Sequence, residues 1–220
     1  MKENDSRKWV KVRTDPGAGQ VRAVDGGIEI KRSKGPISSK VKGIGIVYLA
    51  VDCSYSMEGE KLAQAKQGGI DFAKEARKKG YRTGLIAFDS YAIHLCSPQQ
   101  EISVLRKALE PVVVGGTTNM THAITLAAGQ LSEAEGKRAL VIVTDGMPDN
   151  RSTALAAARR ATSEGIDIIT LGTGDADHKF LKKLASRNDL ATVVHQHQLR
   201  EGIAATAKLL SLGKPEKKPR

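Results

Sequence analysis

The sequence predicts an α/β domain built on a doubly wound, mostly parallel six-stranded sheet, with one antiparallel edge strand and an N-terminal β-hairpin extension. Three observations carry this expectation. Residues 44–51 and 139–143 are continuous apolar runs, the pattern of strands buried on both faces. Between such runs lie segments whose apolar residues recur at helical spacing. Glycines punctuate the alternation, with Gly80 and Gly165 after helical segments and Gly115-Gly116 at a chain break. Strands separated by helices mean βαβ units and a sheet covered on both sides.

The elements follow in order. Residues 1–8 are polar, and residues 9–13 alternate apolar and charged side chains as an exposed strand does. Two alternating runs within residues 21–30 flank Asp25-Gly26-Gly27, a hairpin signal. Residues 31–43 read as a basic connector. The first main strand is 44–51, followed by a helix over 58–79 with Leu62, Ala65, Phe72, Ala73 and Ala76 on one side. A strand is predicted over 82–88, and a short strand over 91–96 folds back antiparallel and is closed by Pro98. Helices are predicted over 101–109 and 119–135. The remaining strands are 139–143, 166–171 and 191–194, with helices over 153–163, 177–186 and 199–212. This divides the chain into a basic extension (1–43), a main domain (44–212) and a basic tail (213–220).

Composition narrows the function classes. Aromatic residues make up 4% of the chain, so Val, Ile, Leu and Ala are expected to form the core. The net charge of +11 is uneven: residues 1–44 carry 11 Lys/Arg against 5 Asp/Glu, and residues 213–220 carry 4 against 1. The main domain is therefore near neutral, and the basic ends either keep the protein soluble or draw in acidic partners, nucleic acid included. Two cysteines, Cys53 and Cys96, form no disulfide framework or zinc spacing and are expected to be free thiols. The N-terminus lacks a signal-peptide apolar core, and no apolar run is long enough to span a bilayer, so the expected setting is cytoplasmic with no membrane contact.

In doubly wound sheets, ligands bind beyond the carboxyl ends of the strands. After the first strand comes Asp52-Cys53-Ser54-Tyr55-Ser56. After the apolar strand at 139–143 comes Thr144-Asp145-Gly146. Between them, Gly115-Gly116 leads into Thr117-Thr118-Asn119 at a helix start. Carboxylate and hydroxyl oxygens without His or Cys select hard cations. Hydroxyls add no charge, so a bound ion keeps room and appetite for an anionic oxygen from outside. The plainer use of Asp52, Ser54 and Ser56 is to cap the helix that follows.

These three segments resemble the von Willebrand factor A (VWA) family. Its metal-ion-dependent adhesion site (MIDAS) combines Asp-x-Ser-x-Ser with a distant Thr and a distant Asp. Asp52, Ser54 and Ser56 match the first part and Asp145 the last. Thr118, just before Asn119, matches the Thr better than Thr117, though either hydroxyl is open on sequence alone. The resemblance covers residues 44–212 and implies a Rossmann-like fold. It also implies Mg²⁺ as cofactor (Mn²⁺ or Ca²⁺ as alternatives), held by Asp52, Ser54, Ser56, Thr118 and Asp145. The implied activity is binding rather than catalysis, through an Asp or Glu of a protein partner. Stand-alone intracellular members further imply an adaptor or assembly role, AAA-type ATPase complexes among the partners. Cys53 and Tyr55 depart from the common pattern; Cys53 is expected to pack inward and Tyr55 to narrow access to the ion.

Two other classes stay open on the residues. A metal-dependent hydrolase of phosphatase type could use the same ion as a Lewis acid, but no Gly-x-Ser-x-Gly elbow and no Cys–His pair at a helix start supply a nucleophile. Nucleic-acid binding could use the basic ends, where Trp9 is the one aromatic available for stacking. Among weaker signals, Asp149 reads as a cap of the next helix or as an outer acceptor at the site. His195 and His197 read as a solvent-facing pair on a strand. Gly172-Thr173-Gly174-Asp175 lacks the residues of a phosphate loop. His122 reads as helix surface or support for the site, and Met57 and Met147 as packing residues or an apolar rim.

Overall fold

The computed structural model describes residues 45–211, together with the backbone of residues 10–11, 20–24 and 27–31. The chain divides into two compact units, residues 1–42 and 43–220. In the first, β1 (Val10–Lys11), β2 (Gln20–Val24) and β3 (Gly27–Lys31) form an antiparallel sheet in which Val21 faces Ile30 and Val24 faces Gly27. The expected turn residues 25–26, the connector over 32–43 and the tail over 213–220 lie outside the described residues.

The second unit holds a six-stranded sheet. Its strands are β4 (Gly45–Asp52), β5 (Tyr81–Phe88), β6 (Ala92–Gln99), β7 (Lys137–Thr144), β8 (Ile166–Thr173) and β9 (Ala191–Val194). Their spatial order is β6-β5-β4-β7-β8-β9, with every pairing parallel except β5 with β6. The helices are α1 (Glu60–Lys78), α2 (Ile102–Leu109), α3 (Met120–Leu131), α4 (Arg151–Ser163), α5 (His178–Leu184) and α6 (Leu199–Thr206). No helix among the described residues is long and apolar enough to cross a membrane.

Side chains on a strand alternate between faces, and both faces are covered. Val47, Leu49 and Val51 of β4 join one core with Ala65, Phe72, Leu105 and Ile203 from α1, α2 and α6. Tyr48 and Ala50 join the other with Ile124, Ala158 and Leu184 from α3, α4 and α5. Scarce as they are, aromatics anchor these cores: Tyr48, Tyr81, Phe72 and Phe88 are among the largest fully buried side chains. The aliphatic core expected from composition is thus completed by rings, and Gly84 is where one of them needs room. A Cβ there would lie 2.4 Å from the Tyr48 ring.

Four expectations need correction, the first being the last helix, expected over 199–212, which gives way after Thr206 to a 3-10 turn (Ala207–Leu209). β6 does not stop at Pro98 but runs to Gln99. An edge strand tolerates a residue without an N–H, and the pairing with β5 is irregular between Leu85 and Thr83, where Pro98 falls. α3 ends at Leu131 rather than at 135, because the chain turns before Gly136, which adopts a φ of 83°. His195 and His197 lie beyond β9, at and within a 3-10 turn (Gln196–Gln198), not on a strand.

The topology positions the site. The chain runs outward from β4 to β5 and β6, then returns to place β7 on the other side of β4. The strand order therefore reverses between β4 and β7, and a crevice opens at their carboxyl ends. Val51 pairs with Val143, so Asp52 and Thr144 end these two strands at one level.

Candidate functional site

Asp52 is fully buried at the end of β4. Its Oδ1 accepts the Ser54 amide at 2.8 Å, which turns the chain sharply, and its Oδ2 accepts the Thr144 hydroxyl at 2.6 Å. Burial pushes the Asp52 carboxyl up to about 6; the hydrogen bonds from Thr144 and Ser54 pull the other way, and nearby Asp145 adds a smaller upward push. The turn brings Ser54 Oγ to 3.1 Å from Ser56 Oγ, and Ser56 Oγ donates to Asp145 Oδ1 at 2.6 Å. Two residues 89 apart in sequence are thereby in direct contact.

Helix capping does not explain these side chains. The turn after β4 is a 3-10 turn (Tyr55–Met57), and α1 starts after Gly59, which has no side chain to offer. Neither helix start takes a side-chain cap from Asp52, Ser54 or Ser56.

The loop of Gly115-Gly116 supplies the third side. Gly115 N donates to Cys53 O at 2.8 Å and Tyr55 N to Gly116 O at 3.3 Å, stitching this loop to the first. Gly116 has a φ of 60°, and a Cβ there would sit 2.5 Å from Ser90 Oγ, so the tight crossing requires glycine. Asn119 then caps α3 by accepting the His122 amide at 3.0 Å, while its Nδ2 donates to Ser90 O.

Thr117 and Thr118 part ways here. Thr117 Oγ1 donates to Asp149 Oδ2 at 2.6 Å and lies near Ser90 Oγ. Thr118 is buried, and its hydroxyl borders the space beside Gly146: a Cβ on Gly146 would lie 3.4 Å from Thr118 Oγ1 and 3.6 Å from Ser56 Oγ. Of the two hydroxyls, Thr118 thus shares the crevice with Ser56.

Two contributors were not singled out from sequence, and of the two readings of Asp149 the helix cap fails. Thr144 anchors Asp52, a role that only the β4–β7 register reveals. Lys61 Nζ donates to Asp145 Oδ2 at 2.5 Å and to Ser56 O at 2.8 Å, and nothing in its local sequence signals that reach. Asp149 is not the cap of α4; Asn150 accepts the Thr153 amide and fills that place. Asp149 instead clamps the neighbouring loop, accepting the Thr118 amide at 2.9 Å and the Thr117 hydroxyl, while its own amide donates to Thr118 O at 3.0 Å.

Cys53 is buried with Sγ against Phe88 O, and burial pushes its thiol up to about 12. Cys53 and Cys96 are both buried, and neither is in a disulfide. Tyr55 is 69% exposed and Met147 53% exposed, whereas Met57 is buried in the core. His122 Nδ1 accepts the Ala92 amide at 3.1 Å and steadies the start of β6. The His195 and His197 rings stack in parallel with centroids 5.7 Å apart. Among the described residues, no three His, Cys, Asp or Glu side chains converge as a metal centre. Thr173, at the end of β8, has a buried hydroxyl without a hydrogen-bond partner.

The crevice therefore gathers two carboxylates and the hydroxyls of Ser54, Ser56 and Thr118 from three loops. An all-oxygen set with few charges fits a hard divalent cation.

Known proteins share this architecture. The sequence pattern of the von Willebrand factor type A domain matches residues 47–205. A UPF0353 protein of Mycobacterium sp. (strain KMS) is 26% identical over 193 residues, covering 71% of this chain and 57% of that protein; the chain thus spans little more than half the length of this curated relative. Among solved structures, the vWF domain of the type V pili tip protein Mfa5 from Porphyromonas gingivalis superposes with a TM-score of 0.69 at 13% identity, covering 80% of this chain and 98% of that one. Proximal thread matrix protein 1 from the mussel byssus, in a structure with a zinc-occupied MIDAS motif, gives a TM-score of 0.60 at 14% identity, covering 75% of this chain and 46% of that one.

Proposed function

This chain belongs to the von Willebrand factor type A domain family, and on that premise we propose that it is a divalent-metal-dependent binding module that captures an acidic side chain of a protein partner. Domains of this family are generally interaction and adhesion modules rather than enzymes. The observation that carries the reading is the meeting of Asp52, Ser54, Ser56, Thr118 and Asp145 at the topological switch point of the sheet. These five residues would hold Mg²⁺, with Mn²⁺ or Ca²⁺ as alternatives; the zinc-occupied motif of the mussel protein supports a divalent ion in this kind of crevice.

A bound ion supplies a Lewis-acidic position for an anionic oxygen. The chain's own residues do the rest. Thr144 and the Ser54 amide orient the Asp52 carboxylate from behind. Asp149 and Asn119 fix the loop that presents Thr118. Three of the five donors are neutral hydroxyls, so a partner's Asp or Glu adds ligand charge that the site itself lacks. Exposed Tyr55 and Met147 stand on two of the site loops, where apolar neighbours of that acidic residue would pack.

The test is retention of a partner from native extract on immobilised protein. Retention in Mg²⁺, release by EDTA and loss in Asp52→Ala are expected. Retention that ignores both chelator and substitution would remove the mechanism.

A further inference from the structure

Lys61 stands at the site for a reason that the helix does not give. It lies in the first turn of α1, where the helix end is partially positive and favours acidic rather than basic side chains. Its side chain is only 21% exposed, and that of its partner Asp145 is 1% exposed. A cation so placed needs a strong counter-charge, and Lys61 finds it 84 residues away: Nζ reaches both Asp145 Oδ2 and the Ser56 carbonyl. Both carboxylate oxygens of Asp145 are engaged in this arrangement, Oδ1 by the Ser56 hydroxyl and Oδ2 by the Lys61 ammonium.

From this geometry we infer that Lys61 is a tethered cation that competes with the divalent ion for Asp145. The inference rests on the metal site proposed above and adds a regulator to it. Two cations cannot share one buried carboxylate without repulsion, so entry of the ion requires the ammonium to leave Asp145 Oδ2. Lys61 keeps the metal-free crevice neutralised and folded. It also weakens metal binding, and once displaced it stays near the mouth as a positive charge facing an incoming carboxylate. Metal retention and capture of an acidic partner thereby become coupled, since a carboxylate bound at the mouth offsets the charge that Lys61 adds.

Mn²⁺ alone is the probe, its affinity read by the loss of the free-ion EPR signal. Lys61→Met, which keeps the stem and removes the charge, is expected to bind Mn²⁺ about tenfold tighter or more than the natural chain, given the strength of repulsion between close charges in a partly buried site. Lys61→Arg should stay within a few-fold of the natural chain, and Asp145→Asn should bind weakly. A second readout uses the natural chain and does not depend on any variant folding. Acetylation of Lys61 by a limiting amine-reactive ester, followed by mass spectrometry, should proceed several-fold faster in saturating Mn²⁺ than in EDTA. Equal affinities for the natural chain and Lys61→Met, or acetylation unmoved by Mn²⁺, would overturn the role of Lys61 while leaving the metal site standing. Absence of Mn²⁺ binding in every variant at millimolar concentration would overturn the metal site itself.

Discussion

Replacing Asp149 with Ala tests whether the loop carrying Thr118 is held in place from outside the crevice. The structure gives Asp149 two side-chain contacts on that loop, the Thr118 amide at 2.9 Å and the Thr117 hydroxyl at 2.6 Å. Hydrogen bonds to a charged group contribute roughly 1.5–3 kcal/mol each when shielded, and an amide left buried and unpaired costs roughly 1–3 kcal/mol. Asp149 is exposed, so water recovers part of the loss on the Thr117 side, whereas Thr118 is buried and its amide is not so readily compensated. The expected destabilisation is therefore about 1–2 kcal/mol, read as a lower midpoint in urea with an unchanged slope. Positioning residues of this kind typically change metal affinity by about 10–100-fold, and Mn²⁺ binding should weaken within that range. Asp149→Asn retains an oxygen for the Thr118 amide and should recover much of both effects. If Asp149→Ala kept the urea midpoint and the Mn²⁺ affinity of the natural chain, the clamp would not hold Thr118 and the third side of the crevice would need another explanation.

Other expectations follow from separate parts of the fold. His94 is half-buried, its Nε2 is hydrogen-bonded with Tyr48 OH at 3.0 Å, and burial lowers its pKa below the usual 6.5. A lowered pKa favours the neutral ring in the folded state, so this contribution is complete above about pH 6.5 and is lost as pH falls towards the folded value. The stability difference between the natural chain and His94→Gln should accordingly shrink on acidification from pH 7.5 to 5.5, and a difference that grew would contradict the assignment. Gly68 of α1 packs against α6, where an added Cβ would meet Arg200 O and Ile203 Cβ at 2.9 Å; Gly68→Ala should lower stability by about 1–3 kcal/mol despite the better helix propensity of Ala. A neutral or stabilising result in thermal unfolding would mean that α6 shifts without strain. Cys53 and Cys96 are buried, and the Cys53 thiol is pushed up to about 12, so both should react with a thiol reagent at pH 8 only as fast as the chain opens. Immediate labelling of either would contradict the packing.

Much of this architecture was legible because burial writes itself into apolar runs. Residues 44–51 and 139–143 read as strands covered on both faces, and they became the adjacent central strands β4 and β7. The antiparallel edge was visible as the short strand over 91–96 directly after the strand over 82–88, but Pro98 misled, since a proline ends an interior strand and not one on the edge. The overlong reading of α3 arose because Ser132 to Glu135 contains good helix formers, while the turn that stops the helix is set by the approach to β7. At the crevice, Asp52, Ser54, Ser56 and Asp145 were read from position after strands, and the structure puts Ser56 on Asp145 directly. Thr117 and Thr118 could not be separated locally, because what turns one outward is Asp149, 31 residues downstream of Thr118. Lys61 left no trace at all. Its role depends on a carboxylate from a different strand, and a lysine in a first helical turn reads as solvent-facing until that strand is in place.

The most direct measurement is an anomalous difference map at the manganese edge from crystals grown with Mn²⁺. A single peak in contact with oxygens of Asp52, Ser54 and Ser56, near Thr118 and Asp145, is the predicted result. A map with no peak in that crevice at saturating Mn²⁺, or a peak only at the His195–His197 pair, would contradict the account.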